Sequence, residues 1–326
     1  MTQRKLTRIL HRYAAISLFL LTIAIACACN NVISQHSAST NLHPSASNCR
    51  LIKHAMGETC VPIKPQRIVT ISGFAVGSLL SLNVKPVATI TDVASIWQDQ
   101  LKDVENLGTE EQVNLESLLQ IKPDLIFASK WTAEAIYDKL TRIAPTVVDD
   151  FQRWREWKDV FMLHAEALGM TAQAQQLMEE YRDRVVQLKA HLKQTPPTQV
   201  SLVRLYYDGR IILYLKDSFA GAILEEIGIS RPPSQNKDDF LKVISKEAIQ
   251  EADGDIIFVW TFGENTRVAQ ASQDALRRMK SDPLWLQLNA VKQNRVYEVG
   301  NYWNILSSPR QANLIIDDLF KYLIDH

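Results

Sequence analysis

Two stretches of similar order decide the fold of this chain: NLESLLQIKPDLIF at residues 114–127 and SKEAIQEADGDIIF at residues 245–258. Each begins with a helical segment, turns, and ends in Asp followed by an aliphatic run that is typical of a buried strand. Each strand then runs into aromatic residues, Trp131 in the first half and Trp260 and Phe262 in the second. This repetition predicts an α/β fold of two lobes with mainly parallel sheets.

A long helical segment at residues 171–193 separates the two halves. Its apolar residues are spaced three and four apart, which predicts one apolar stripe along a helix on the order of 35 Å long at 1.5 Å per residue. Gly169 precedes this segment, and Pro196 and Pro197 follow it. We therefore predict two lobes joined by one long α-helix. The predicted boundaries are 61–169 for the N-terminal lobe, 170–195 for the interlobe helix and 196–326 for the C-terminal lobe.

Short β-rich runs alternate with amphipathic helices through both predicted lobes. The predicted strands are 67–71, 84–90, 125–128, 146–148, 200–206, 211–215, 256–260 and 295–299. The predicted helices besides the long one are 74–82, 115–121, 133–143, 157–168, 221–227, 246–250, 273–279 and 311–324.

The first 29 residues predict export from the cytoplasm. Four basic residues precede an uncharged run at residues 13–26, which is shorter than the roughly 20 apolar residues of a membrane span. A small residue directly before Cys27 or Cys29 resembles the lipobox of bacterial lipoproteins. Cleavage before Cys29 leaves no spare thiol and is favoured. We expect a lipid-anchored protein in the periplasm or on the outer face of the cytoplasmic membrane, with a simple cleaved signal or an uncleaved anchor as alternatives.

Residues 30–60 predict a tether and a disulfide loop, because residues 30–48 are rich in Ser, Asn, Ala and His without apolar periodicity. In an exported protein, Cys49 and Cys60 are expected to form a structural disulfide, with two free thiols as the alternative.

Composition excludes several classes of function. The formal net charge is zero and no basic block follows residue 12, which argues against a nucleic-acid partner. The chain has no glycine-rich phosphate loop, no nucleophile elbow and no His-Glu-x-x-His helix, and its histidines are scattered. We expect no metal site, no cofactor and no enzymatic activity.

The ends of the predicted strands point to a ligand site. In open α/β sheets, ligands bind beyond the carboxyl ends of the strands. Two facing lobes would therefore present Lys130, Trp131, Trp260 and Phe262 to one cleft, although each aromatic residue could instead pack locally.

The chain also resembles a known family, the substrate-binding proteins of bacterial ABC importers, in the group that binds iron–siderophore complexes and cobalamin. The resemblance covers about residues 49–326. It is carried by the order and spacing of segments at 60–69, 114–126, 140–147, 219–233, 303 and 312–319.

This resemblance implies capture of a ferric siderophore in a shallow, largely pre-formed cleft and its delivery to an ABC permease. Iron would be bound only as part of the ligand, and the protein would act as a monomer. Arg204 is the first cationic candidate and Lys130 the second, because such ligands carry negative charge or exposed oxygen atoms. Tyr206 and Tyr214 are possible hydroxyl donors. The possible aromatic walls are Trp97, Trp131, Trp260, Tyr302 and Trp303. The alternatives are an ordinary strand-surface charge for Arg204 and a core position for Trp303.

The resemblance further implies docking on the permease through one glutamate from each lobe. Glu116 and Glu225 occupy the matching positions, although Glu226 competes with Glu225. Some hydroxamate-binding members place an arginine before the Asn-Leu-Glu element, and residues 107–112 contain none. The siderophore class therefore stays open. Cobalamin or haem is the alternative cargo, and an exported enzyme using the same cleft is the rival reading.

Overall fold

The computed structural model describes residues 49–90, 95–150, 154–194, 198–263, 266–304 and 308–324. The chain divides into two units, Met1–Ala46 and Ser47–His326, and all described residues belong to the second unit. The predicted signal peptide, its cysteines Cys27 and Cys29, and the tether at residues 30–48 lie outside the described residues.

The described chain begins with an antiparallel hairpin of β1 (Cys49–His54) and β2 (Gly57–Pro62). The prediction of a disulfide loop up to residue 60 did not include these two strands. Ile52 and Val61 are fully buried, so this hairpin has an apolar face that packs into the core. The predicted disulfide between Cys49 and Cys60 is confirmed, with Cα atoms 5.4 Å apart.

The first lobe contains a five-stranded sheet in the order β5-β4-β3-β6-β7, and all its pairs are parallel. The residues of β3, β6 and β7 are all buried, which explains the continuous apolar runs in the sequence. The strands are β3 (Ile68–Ile71), β4 (Ala88–Thr89), β5 (Glu105–Asn106), β6 (Leu125–Ser129) and β7 (Thr146–Asp149).

The second lobe contains a five-stranded mixed sheet in the order β10-β9-β8-β11-β12. Strands β8, β11 and β12 are parallel, whereas β9 and β10 run antiparallel to their neighbours. A tight turn with Gly209 at φ +87° reverses the chain between β8 and β9, and β10 was absent from the prediction. The strands are β8 (Val200–Leu205), β9 (Ile211–Tyr214), β10 (Leu241–Ile244), β11 (Ile256–Thr261) and β12 (Val296–Glu298).

Helices cover both sheets, and the predicted segment at 133–143 is divided near Ile136. The helices are α1 (Gly73–Ser81), α2 (Gln98–Leu101), α3 (Leu115–Ile121), α4 (Lys130–Ala133), α5 (Tyr137–Ile143), α6 (Trp157–Leu168), α7 (Thr171–Leu192), α8 (Phe219–Ile227), α9 (Thr266–Lys280), α10 (Asn289–Lys292) and α11 (Pro309–Leu323). Turns of 3₁₀ helix occur at Ser95–Trp97, Trp154–Glu156, Lys246–Ala252, Trp285–Gln287 and Asn301–Trp303.

The long helix α7 joins the two lobes, so the predicted fold class is confirmed. Its buried stripe includes Tyr181, whose ring packs edge-on against Trp157 of α6 at 5.4 Å between ring centres. Trp157 also packs against Phe219 of α8 at 5.5 Å, so one aromatic cluster links helices of both lobes. Among the described helices, none is long and apolar enough to cross a membrane.

Candidate ligand-binding cleft

The carboxyl edge of the first sheet carries Lys130 and Asp150. The Lys130 Nζ atom lies 2.8 Å from Asp150 Oδ2, and both side chains are partly exposed. The hydrogen bond and the negative charge of Asp150 raise the pKa of Lys130. Its positive charge is therefore already shared with a carboxylate. Trp131, the next residue, is 77% exposed and offers an open ring face beside this pair.

Trp97 connects the two lobes at one side of the cleft. Its ring is 1% exposed and lies under the guanidinium of Arg310, which is 4.9 Å from the ring centre. Trp97 precedes α2 in the first lobe, whereas Arg310 lies in the first turn of α11 in the second. The cation–π interaction therefore joins the turn before α2 in the first lobe to the first turn of α11 in the second.

Arg204 forms the centre of a polar cluster in the second lobe. It lies on β8 directly beside Trp260 of β11. Its Nη1 donates to Asn304 Oδ1 at 3.0 Å, and the Tyr214 hydroxyl donates to the same oxygen at 2.7 Å. The guanidinium also lies 5.4 Å from the ring centre of Tyr206 and 5.7 Å from that of Tyr214. One predicted donor, Tyr214, and the predicted cation Arg204 thus converge on one amide.

The charge of Arg204 is not neutralised by a carboxylate within the described part of the chain. Its Nε is buried and has no hydrogen-bond partner among those residues. Burial raises the pKa of Tyr214 to about 12, and the neighbouring Arg204 charge opposes that rise. The cluster therefore offers a cation with unused N–H donors, which suits an anionic oxygen ligand.

Two aromatic residues predicted to line the cleft from the second lobe, Trp260 and Phe262, are more buried than residues of a cleft surface usually are. Trp260 is 1% exposed, its ring centre is 5.1 Å from that of Tyr214, and its indole N–H has no partner in the described region. Phe262 is half-buried, and its carbonyl accepts a hydrogen bond from Ser272. Trp260 thus borders the Arg204 cluster from below.

Tyr302 and Trp303 are tied to α11. The Tyr302 hydroxyl and the Trp303 indole N–H both donate to Asp318 Oδ2, at 2.6 and 2.7 Å. Trp303 is fully buried and stacks on Phe258 with ring centres 4.7 Å apart. Burial raises the pKa of Asp318, and these two donors oppose the rise. Tyr302 and Trp303 therefore pack within the second lobe in this structure. That they also line the ligand cleft stays a prediction.

Two residues of this region were missed by sequence reasoning. Asn304 joins Arg204 to Tyr214, and Arg310 covers Trp97. Nothing in the local pattern marks a single Asn after an aromatic pair as a partner of a strand 100 residues away. Arg310 did carry a signal, because it follows the helix-start pattern Ser308-Pro309 at an element end.

A buried hydrogen-bonded chain in the first lobe resembles a catalytic triad in composition only. His164 Nδ1 lies 2.9 Å from Ser78 Oγ, and its Nε2 lies 3.3 Å from Asp149 Oδ2. Ser72 donates to the same carboxylate oxygen at 3.0 Å. All four residues are at most 1% exposed, so no substrate reaches the serine in this structure. The geometry therefore gives the enzyme reading no accessible nucleophile at this cluster.

Metal-ligating side chains are also dispersed. No group of three His, Cys, Asp or Glu residues is placed to hold a metal ion in the described ranges.

The predicted docking glutamates differ in their surroundings. Glu116 is exposed in the first turn of α3, where Asn114 accepts hydrogen bonds from the backbone N–H groups. Glu225 is 44% exposed and pairs with Arg155, with Oε2 3.0 Å from Nη2. Glu226 is less exposed, and its carboxylate accepts hydrogen bonds from Lys158 and from the Tyr181 hydroxyl.

A surface pocket of about 640 Å³ lies next to the amino end of β8, where Gln199 is part of its lining. Its lining includes Lys216, Glu225 and Arg231. The Arg231 guanidinium donates to the carbonyls of Val200 and Tyr214, both at 2.7 Å. Arg231 thus ties β8 to β9 beside this pocket.

Comparison with known proteins agrees with this architecture. The chain is 33% identical over 320 residues to the probable siderophore-binding lipoprotein YfiY of Bacillus subtilis (strain 168), covering 94% of this chain and 96% of that protein. It is 29% identical to the achromobactin-binding periplasmic protein of Dickeya dadantii (strain 3937), covering 79% and 86%. The crystal structure of Staphylococcus aureus SirA complexed with staphyloferrin B superimposes with a TM-score of 0.73 at 33% identity, covering 84% and 98%.

These relatives are binding proteins, and their names place them outside the cytoplasm as lipoproteins or periplasmic proteins. The family model described as "Periplasmic binding protein" matches residues 68–302, which span both lobes and the helix between them. The chain therefore belongs to the periplasmic binding protein family, in the group of siderophore-binding ABC importer components.

Proposed function

We propose that this protein captures a ferric siderophore outside the cytoplasm and delivers it to an ABC permease for iron uptake. The support is similarity over nearly the whole chain to a relative named as siderophore-binding, and similarity to a structure solved with staphyloferrin B. The binding site in this proposal is the interlobe cleft, and no catalytic step takes place there.

The observation that carries the proposal is the environment of Arg204. It is a half-buried cation at the carboxyl end of β8 that contacts two tyrosine rings and one neutral amide. A cation with unused donors beside aromatic rings fits a ligand with anionic oxygens and apolar faces. The proposed contacts from the first lobe are Lys130 and Trp131, because Trp97 is only 1% exposed and lies under Arg310.

The finer parts of the proposal concern attachment and partners. A lipid on Cys29, or on Cys27, would hold the protein at the outer face of the cytoplasmic membrane as a monomer. Glu116 and Glu225 would meet arginines of the permease. Iron would enter only inside the siderophore, without a resident cofactor.

A fluorescence titration tests this proposal. The full chain, purified in detergent, is titrated with ferric citrate, a ferric hydroxamate and a ferric catecholate, each compared with its iron-free form, and with cobalamin and haem. We expect saturable quenching by one ferric class, because Trp260 lies within the Arg204 cluster and Trp131 is exposed. Quenching only by cobalamin or haem would change the cargo, and no response to any ligand would refute capture.

The variant R204A assigns the site. We expect its affinity for the bound ferric complex to fall at least tenfold, since charge-assisted hydrogen bonds contribute about 1.5–3 kcal/mol each. The matched control is R182A, because Arg182 is an exposed arginine of α7 that pairs with Glu179 in the preceding turn. Equal affinities of R204A, R182A and the wild type would remove Arg204 from the site.

A further inference from the structure

Asn304 holds the Arg204 cluster together from a fixed position. It is 6% exposed and directly follows the 3₁₀ turn Asn301–Trp303. Its backbone N–H donates to the Asn301 carbonyl at 3.0 Å, and the preceding Trp303 is anchored to Asp318. The side-chain amide is therefore supported by a turn that is itself bound to α11.

The orientation of this amide follows from its partners. An arginine guanidinium can only donate hydrogen bonds, so the amide oxygen of Asn304 must face Arg204. The Tyr214 hydroxyl lies 2.7 Å from the same oxygen and donates to it. The neutral Oδ1 atom of Asn304 thus accepts hydrogen bonds from both Arg204 and Tyr214 and holds the Tyr214 hydroxyl in place.

Arg231 of the same lobe is also held by neutral acceptors, two backbone carbonyls and the Gln235 amide oxygen, but it is only 7% exposed, whereas Arg204 is half-buried. Buried cations are normally paired with carboxylates, because an isolated charge is costly to remove from water. Several cations at or near the contacts between the lobes do have a carboxylate partner. Such carboxylate pairs are Lys130–Asp150, Arg155–Asp217, Lys158–Glu226 and Arg184–Asp317.

We infer that Asn304 is a positioning residue for ligand binding that orients Arg204 without neutralising it, so that the site selects anionic ferric complexes. This inference rests on the proposed function. An aspartate at the same position would accept the same two hydrogen bonds and would cancel the charge that Arg204 offers. The amide therefore leaves the full positive charge for the ligand.

The variant N304D tests the inference because it changes charge at nearly constant shape. The full chain is titrated with two anionic probes, ferric citrate and ferric enterobactin, and with ferrichrome, a neutral ferric trihydroxamate. We expect affinity for a bound anionic probe to fall at least tenfold, and its dependence on NaCl concentration to become flatter. The matched control is N301D, which adds the same charge on the same turn; we expect its affinity to change less than threefold.

The variant N304S separates position from charge. It keeps residue 304 neutral but removes an acceptor that reaches both donors, so affinity should fall for anionic probes while the salt dependence stays as in the wild type. This arm remains informative should N304D fail to fold.

The outcomes distinguish this inference from the proposed function. If N304D binds the anionic probe within twofold of the wild type, or loses ferrichrome equally, then Asn304 does not preserve charge and the inference fails alone. The inference also fails alone if the wild type binds only ferrichrome. If the wild type binds no ferric complex of the wider panel, the proposed function fails first.

Discussion

Glu226 is the residue whose loss should most clearly weaken the contact between the lobes. Its carboxylate, on α8 of the second lobe, lies 2.7 and 2.8 Å from Lys158 Nζ of α6 and 2.8 Å from the Tyr181 hydroxyl of α7. Burial and the Glu226 charge raise the pKa of Tyr181 far above its ordinary value, so its hydroxyl remains a donor. The substitution Glu226→Ala removes both contacts at once.

The two contacts differ in magnitude. Tyr181 is fully buried, and leaving its hydroxyl without an acceptor costs about 1–3 kcal/mol. The Lys158–Glu226 pair has side chains 34% and 30% exposed, so solvent screening limits its contribution to about 0–1 kcal/mol. We expect Glu226→Ala to lower the free energy of unfolding by about 2–3 kcal/mol. Glu226→Gln, which keeps an acceptor for Tyr181, should cost only about 1 kcal/mol.

Urea unfolding, followed by tryptophan fluorescence and far-UV circular dichroism, measures these differences. Glu179→Ala is the matched control, because the Glu179 side chain is 69% exposed on α7 and should contribute less than about 0.5 kcal/mol. A loss for Glu226→Ala no larger than that of the control would refute the role of the buried hydroxyl. Equal losses for the Gln and Ala variants would show that charge, not the acceptor, stabilises the contact.

Three other substitutions test separate parts of the fold. Replacing Cys49 and Cys60 by Ser should cost about 2–3 kcal/mol, because the disulfide closes a short loop; urea unfolding of the oxidised wild type and the double variant measures it. Burial raises the pKa of Tyr214 to about 12 from an ordinary 10, so the neutral hydroxyl favours the folded state fully below pH 10. This contribution to the free energy of unfolding is lost as pH rises toward 12. Tyr214→Phe should therefore show a shallower stability loss over that alkaline range, and an identical pH profile would contradict this. Gly169→Ala should cost more than Gly209→Ala in thermal unfolding; both have positive φ, but only the Gly169 Cβ would meet a side chain, at 2.3 Å. Equal costs would show that the neighbouring side chain moves freely.

The elements that could be predicted from the sequence are those whose burial is uniform. Strands β3, β6 and β7 are short runs buried on both faces, and α7 carries one long apolar stripe, so each pattern predicts a single kind of element. The hairpin at residues 49–62 was missed because its strands are half exposed and mix charged with apolar residues. Strand β10 was missed for the same reason.

The site was harder to predict than the fold, because its contacts join distant segments. Arg204 and Tyr214 lie on strands that the sequence pattern predicts, and the α/β topology indicates that a ligand binds near the ends of such strands. Asn304, which unites them, comes from a turn 100 residues later, and no local pattern contains that contact. Trp303 was predicted as a possible wall with a core residue as the alternative, and in the structure its indole N–H donates to the half-buried carboxylate of Asp318 in α11.

The two adjacent glutamates of α8 differ in their exposure and in their partners. Glu226 is fixed by a buried hydroxyl and Lys158, whereas Glu225 is 44% exposed and paired with Arg155. Arg155 also lies 2.8 Å from Asp217 through its Nε. In the proposed docking, a permease arginine would compete with Arg155 and with Lys216 for Glu225. Since an exposed pair contributes at most about 1 kcal/mol, that exchange costs little, and Arg155 keeps Asp217 as its partner. Docking through Glu225 would therefore leave the contact between the lobes intact, and a pre-formed cleft would remain pre-formed on the permease.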